Sequence, residues 1–299
     1  MPDTLVDEHL PEAVAVIGQT TLGADRLARA AKLRAIFNVE GNFLPNVDYD
    51  TCFARGIHVL NASPAFALVV AEWALGAAID LARGITVADR AMRTATEGYQ
   101  LDGNREAFQL AGSHVGIIGF GDLGRALRAL LVPFGCPVSA YDPWLPDHVL
   151  HRAGVEPAGL EQVLSGSRVI FVMAGVTQEN LGFLGRRELD LVPPGSVLVL
   201  ASRAAVVDFE AFVELADAGR FRAATDVFPA EPVAVDDPVR RSSLLLSPHL
   251  AGGMREAFAE IGRLVVADLE LVLEGLPPVA CKRAERETVG RLRSRPVDR

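Results

Sequence analysis

Cysteine is scarce. Three in 299 residues, Cys52, Cys136 and Cys281, are too few and too widely spaced for a disulfide framework or for the CxxC pairs of a zinc site, so no metal is expected. A reducing, cytoplasmic setting fits that usage. Positive charge is also short: 29 Lys and Arg against 38 Asp and Glu leave a formal net charge of −9. Nucleic-acid affinity rests on neutralising phosphates, so this balance points away from a nucleic-acid partner. The one basic concentration is the terminal run CKRAERETVGRLRSRPVDR, with seven Lys/Arg against three acids, which reads as a solvated tail. Missing too is a long apolar run clear of charge. The nearest, AFALVVAEWALGAAIDLA at 65–82, contains Glu72 and Asp80. Buried carboxylates are costly in lipid, so a helix buried between domains is expected there, and no membrane. The acidic start MPDTLVDEHLPEAVAVIG lacks the positive end and long apolar core of a signal peptide.

What is present is half hydrophobic and 22% charged, the composition of a globular protein long enough for two domains. Short β-rich runs alternate with helix-period segments, the pattern of an α/β protein with parallel sheets. One series of strands is expected at 13–18, 33–39 and 57–61. A second is expected at 113–120, 136–142, 167–174, 195–202, 222–228 and 243–248. The long helix at 65–82 separates the two, which suggests two doubly wound domains. The closing helix 254–275 has apolar residues at helical spacing and a stop at Gly275 before Pro277-Pro278. It is long enough to return to the first domain, which would then be discontinuous: 1–83 with 254–299, around a second domain at 84–253.

The run VGIIGFGDLGRAL places Gly119, Gly121 and Gly124 in GxGxxG spacing, directly after an apolar strand and opening a helix. The three glycines serve a tight turn, close backbone approach to a pyrophosphate, and close packing of helix on strand. The helix N-terminus, from Asp122 and Leu123 onward, offers N–H groups and a positive dipole end to phosphate. The next strand ends in Asp142, 23 residues after Gly119, where a carboxylate meets ribose hydroxyls. That carboxylate would repel a 2′-phosphate, so NAD is expected rather than NADP. A plain turn at Asp142-Pro143 is the competing reading.

In an open α/β sheet ligands sit beyond the carboxyl ends of the strands. Three polar side chains follow apolar strands there: Arg203 after SVLVLAS, Glu231 after TDVFPA, and His249 after LLLSP. An arginine offers a planar fork that holds a carboxylate and polarises the neighbouring carbonyl. Histidine can pass a proton to or from the oxygen as hydride moves, and a carboxylate partner orients its ring. Pro248 disfavours helix at Ser247 and is expected to keep the chain extended up to His249. Singly, each residue also reads as a surface charge or a turn. Behind a dinucleotide motif, the set points to hydride transfer on a small 2-hydroxy or 2-oxo acid.

These segments resemble the D-isomer-specific 2-hydroxyacid dehydrogenases. The likeness lies in FARGIHVLNASPAFALVVAEWALGAAIDLAR, in VGIIGFGDLGRALRALLVPFGCPVSAYDP, and in SRAAVVDFEAF, ATDVFPAEP and SPHLAGGMREA, in that order. The resemblance implies a Rossmann-type NAD domain and a smaller, discontinuous, flavodoxin-like substrate domain. It implies Arg203 as substrate clamp, Glu231 as the histidine's partner and His249 as acid/base. Ala201, Asp226, Arg203 and His249 would join the glycine loop and Asp142 around NAD, while Gly41 and Asn42 would face the substrate. A homodimer formed chiefly through the cofactor domains is implied as well. Family members begin with a further strand–helix–strand unit, whereas residues 13–18 already match a later strand, so a smaller first sheet is expected. The substrate loop reads NVEGNFLPNVD, and an ionised Glu40 facing the pocket would disfavour an anionic substrate. Two other functions share the scaffold: an NAD(H)-sensing corepressor-like binding protein with little turnover, and a dehydrogenase of another small anion.

Overall fold

Residues 33–39 supply a run whose alternate side chains must find two apolar faces, and the computed structural model, which describes residues 3–177, 179–286 and 289, provides both. After helix α1 (Asp3–His9), strand β1 (Ala15–Ile17), helix α2 (Ala24–Arg29), β2 (Ala35–Asn38), α3 (Tyr49–Arg55) and β3 (His58–Asn61) follow in turn. The three strands are parallel and lie in chain order. Ile36 and Val59 point to one face, packed with Leu27 of α2 and Cys52 of α3. Ala35, Phe37 and Leu60 point to the other, as the two-residue period of a strand requires. Helix α3 is set at its start by Asp48, whose side chain accepts from Thr51 N–H, and is closed by Gly56 at a left-handed φ of 69°.

Helix α4 (Ser63–Arg83) is longer than expected by two residues at its start and one at its end, and is followed by α5 (Ile85–Thr94). By length and composition α4 could cross a membrane, with 39% of its most apolar window buried. Its buried side chains are small, Ala65, Ala71, Ala74, Ala77, Ala78 and Ala82 with Val70. Its two carboxylates stay out of the apolar interior: Glu72 is exposed, and partly buried Asp80 accepts from Thr86 N–H and Oγ1, both at 2.7 Å. Then come β4 (Val115–Ile118), α6 (Asp122–Leu131), β5 (Val138–Tyr141), α7 (Asp147–Arg152), β6 (Glu156–Pro157), α8 (Leu160–Gly166), β7 (Val169–Val172), α9 (Arg186–Leu189), β8 (Val197–Leu200), α10 (Phe209–Asp217), β9 (Arg222–Thr225) and β10 (Leu245–Leu246). These seven strands form one parallel sheet in the order β10-β9-β8-β7-β4-β5-β6. Every residue of β4, β7 and β8 is buried, which explains their unbroken apolar runs. The order reverses between β4 and β7, creating the switch point at which ligands bind such sheets.

The chain returns through α11 (Arg255–Leu273) to β11 (Lys282–Arg283), which pairs antiparallel with β3. Ile261, Val265 and Val272 of α11 cover Phe37 and Leu60. Buried Asp268 of α11 holds the return, accepting the N–H groups of Val279, Ala280 and Cys281 at 2.7–2.8 Å. The smaller sheet is therefore mixed, its second face covered by the returning helix. Contacts divide the chain into Met1–Phe66, Val176–Asn180 and Gly253–Arg299 as one unit, and Ala67–Gly175 with Leu181–Gly252 as the other. The division falls inside α4 rather than at the expected 83/84. The reason is that the later turns of α4 are tied to the larger unit: Leu81 O accepts from Arg222 Nη1 at 2.8 Å and Ala82 O from Phe108 N–H at 3.0 Å. Most of the basic terminal run, at 290–299, lies outside the described residues.

Candidate active site

The loop leaving β4 shows three glycines with different tasks. Gly119 has φ +90°, and a Cβ there would lie 2.5 Å from Ala174 Cα, just past the end of β7. A Cβ on Gly124 would lie 2.5 Å from the Gly119 carbonyl oxygen, so that glycine lets α6 pack onto the loop. At Gly121 a Cβ would meet nothing within 4 Å. That open approach, beside the positive end of the ten-residue helix α6 beginning at Asp122 and Leu123, is what a pyrophosphate needs. Asp142 follows β5, and its carboxylate is drawn onto the glycine loop: Oδ2 accepts from Phe120 N–H at 2.8 Å and Oδ1 from Trp144 N–H at 3.1 Å. The glycine cradle, the helix end and the carboxylate together fit a dinucleotide.

On the other side of the switch point, β8, β9 and β10 are neighbours. Their parallel alignment brings the segments carrying Arg203, Glu231 and His249 to one edge of the sheet. Ala201 is buried just past β8, its N–H on the Val172 carbonyl at 3.3 Å. Arg203 is partly buried on extended backbone, φ −149° and ψ 136°, with Nη1 donating to Ser202 O at 2.7 Å. Glu231 Oε1 accepts from Phe228 N–H at 2.9 Å, and Oε2 lies 2.6 Å from His249 Nδ1. Their side chains are 29% and 43% exposed, so the pair is reachable from solvent. With Nδ1 on the carboxylate, Nε2 is the nitrogen left to exchange a proton.

Two local details lie beyond what the sequence led one to expect. The chain is extended through β10, but His249 itself has φ +53°. It turns because its N–H reaches back to the carbonyls of Asp226 and Ser247, at 2.9 and 3.1 Å. Asp226, expected at the cofactor, is 1% exposed and spends its carboxylate on the histidine loop. Oδ1 accepts from Leu250 N–H at 2.8 Å and from the Ser247 hydroxyl, and Oδ2 accepts from Ala251 N–H at 2.8 Å. The sequence reading missed Ser247, whose hydroxyl fastens the loop, and the Phe228 N–H that fixes Glu231.

Gly41 and Asn42 lie in the smaller unit, in the loop after β2. A Cβ on Gly41 would be 3.7 Å from the Phe66 ring. The Glu40 carboxylate keeps its charge and is oriented by a neutral donor: Gln19 Nε2 donates to its Oε1 at 2.6 Å, and the Glu40 backbone carbonyl accepts from Ala62 N–H at 2.9 Å.

Residues 75–251 match the family model for the NAD binding domain of D-isomer specific 2-hydroxyacid dehydrogenases. The chain belongs to that family. The family's NAD-binding domain coincides with the larger unit and its seven-stranded sheet, which is of Rossmann type. D-3-phosphoglycerate dehydrogenase of Archaeoglobus fulgidus is similar, at 31% identity over 268 residues, covering 89% of this chain and 50% of that protein. The enzyme of the same name from Mycobacterium tuberculosis is 32% identical over 269 residues, with the same coverage. The chain thus spans about half the length of the curated relatives it matches. A phosphoglycerate oxidoreductase from Rhizobium etli superposes with a TM-score of 0.84 at 47% identity, covering 94% of this chain and 86% of that one.

Proposed function

We propose that the chain is an NAD-dependent oxidoreductase that moves hydride between NAD(H) and a small 2-hydroxy or 2-oxo acid, with D-3-phosphoglycerate, named in its relatives, the first substrate to try. The observation that carries this reading is the 2.6 Å pair of His249 Nδ1 and Glu231 Oε2 on the strand edge that also presents Arg203, within an NAD-binding domain. Bound nicotinamide supplies or accepts the hydride. In the reducing direction Arg203 holds the substrate carboxylate and draws electron density from the adjacent carbonyl. His249 gives its Nε2 proton to that carbonyl oxygen, and Glu231 orients the ring and balances its charge while it is protonated. Oxidation runs the same transfers backward.

The smaller unit is the substrate domain in this reading, with Gly41 and Asn42 facing the acid; Ala201 joins the glycine loop around the cofactor. A homodimer through the larger unit belongs to this reading, and exposed apolar side chains there support it: Leu68, Ile85, Val87, Met92, Tyr99 and Leu101 are each 53–75% exposed along α4, α5 and the segment after them, apolar surface that a second copy would cover. A cytoplasmic setting agrees with three free, buried cysteines.

The test is a spectrophotometric panel of 2-oxo acids with NADH and of D-3-phosphoglycerate with NAD. Turnover on at least one, reduced by about a hundredfold or more in His249→Ala and Arg203→Ala, is expected, since proton transfer by a positioned group contributes about 10²–10⁴ in rate. No NADH oxidation with any of them would overturn the proposal.

A further inference from the structure

A second cluster of cationic side chains lies in the smaller unit, at the opposite end of its strands from the Gly41 loop. Arg34 directly precedes β2, His58 opens β3, and Arg55 ends α3. With Gly56, Val272 and Gly275–Pro277 they line a cleft of about 420 Å³, within the size range of small-ligand sites. None of the cleft-lining residues is acidic.

The three groups differ in how much donor capacity is left. Arg55 is committed: Nη1 and Nη2 donate to the carbonyls of Leu27 and Ala30, closing the end of α2 while its charge remains. Arg34 is half committed, with Nη1 on Leu273 O at 3.0 Å. Its Nη2 and Nε have no hydrogen-bond partner among the described residues, and neither does the His58 ring. The C-terminal ends of α3 and α11 lie here as well, each contributing at most about half a negative charge. Two guanidinium groups outweigh them, so the cleft stays positive.

We propose that this cleft binds a compact dianion, a phosphoryl oxyanion or a short dicarboxylate, held by the free fork of Arg34 and by His58 in the field of Arg55. A planar guanidinium with two open donors suits either chemistry. Burial, Arg283 and Arg34 lower the pKa of His58, while Glu285 and Asp268 oppose them more weakly. Arg283 is itself paired with Glu285 at 2.8 Å, and Asp268 is occupied by three N–H groups. A dianion beside His58 and Arg34 favours the protonated ring, so it raises the His58 pKa and binds more tightly at pH 6 than at pH 8.

The experiment follows the histidine ring signals of the full chain by NMR at constant ionic strength. There are six histidines, and the signal lost in His58→Gln identifies His58. Sulfate, a dianion across this pH range, is titrated first, then inorganic phosphate and succinate as separate arms. The expected result is a saturable shift of the His58 signal and a higher titration midpoint. In Arg34→Met the apparent Kd should be about tenfold weaker or more, as losing one charge-assisted contact implies. Response to sulfate and phosphate alone assigns an oxyanion site, and response to succinate alone a dicarboxylate site; either supports the proposal. A His58 signal that none of the three moves, or that moves equally in Arg34→Met, overturns it.

Discussion

The backbone N–H of His249 donates to the carbonyl of Asp226 at 2.9 Å, and this bond turns the histidine into a left-handed conformation of φ 53°. Left-handed backbone is unfavourable for a residue with a Cβ, so something must hold it. The Asp226 carboxylate does so by accepting from the next two backbone N–H groups and from Ser247. Asp226→Ala leaves three donors without a partner, Ala251 N–H buried and the other two part-buried, and is expected to destabilise the larger unit by about 2–4 kcal/mol, the buried orphan costing about 1–3 kcal/mol and the part-buried ones less. Asp226→Asn keeps the volume and one acceptor. It should fold, with turnover reduced about tenfold or more, because small misplacement of an acid/base group is expensive in rate. Wild-type turnover in a folded Asp226→Asn protein would refute the loop-holding role.

The glycine loop separates packing from binding. Gly119→Ala puts a Cβ at positive φ against the Ala174 backbone, so a stability loss of about 1–3 kcal/mol is expected from overpacking, more with the backbone strain. Gly121→Ala meets no protein atom within 4 Å and should leave the denaturant midpoint almost unchanged. Its methyl group instead occupies the approach of the pyrophosphate, so NAD affinity should fall about tenfold or more, some 1.4 kcal/mol. Equal NAD affinity in Gly121→Ala and wild type, by fluorescence titration, would place the phosphates elsewhere.

Asp142 ties the end of β5 to the same loop through Phe120 N–H. A carboxylate there attracts ribose hydroxyls and repels a 2′-phosphate. Asp142→Ala should weaken NAD binding by about tenfold, the loss of one charge-assisted contact, and should narrow the gap to NADP. A wild-type protein that binds NADPH more tightly than NADH would remove Asp142 from this role.

Much of this was legible in the sequence because the larger sheet is buried on both faces. Its strands β4, β7 and β8 had to be apolar runs, and the polar residues just beyond the strands had to be noticed. The two-residue strands β6 and β11 carry no such signal. Glu156–Pro157 and Lys282–Arg283 are strands only because neighbouring backbone is presented to them, in the second case by a segment anchored on Asp268. Helices α1, α3, α5 and α7 were missed; length alone does not account for this, since α5 has ten residues and the equally short α2 and α8 were legible. At the site, side-chain chemistry revealed Arg203, Glu231 and His249. Backbone donors such as Phe228 N–H have no signature in a sequence. The direction of Glu40 depends on Gln19, 21 residues earlier, and the task of Asp226 on a loop that begins 21 residues later.

The buried thiols set a pH limit on the smaller unit. Burial pushes Cys52 from an ordinary 9.0 up to about 12, with Asp48 adding to it, and burial and Asp268 push Cys281 up to about 12. A raised thiol pKa means the folded chain keeps a proton that the unfolded chain releases. The stabilisation is therefore complete below pH 9 and is lost as pH rises from 9 towards 12, by about 1.4 kcal/mol per pH unit for each thiol. Urea unfolding at pH 8 and pH 10 should show a drop in midpoint that shrinks in the double variant Cys52→Ala, Cys281→Ala. Alkylation should agree: iodoacetamide at pH 8 should leave both thiols unmodified in the native protein and label them once urea unfolds it, since the thiolate is the nucleophile. An identical pH 8 to 10 drop in wild type and double variant would show that the proton released on unfolding comes from other groups.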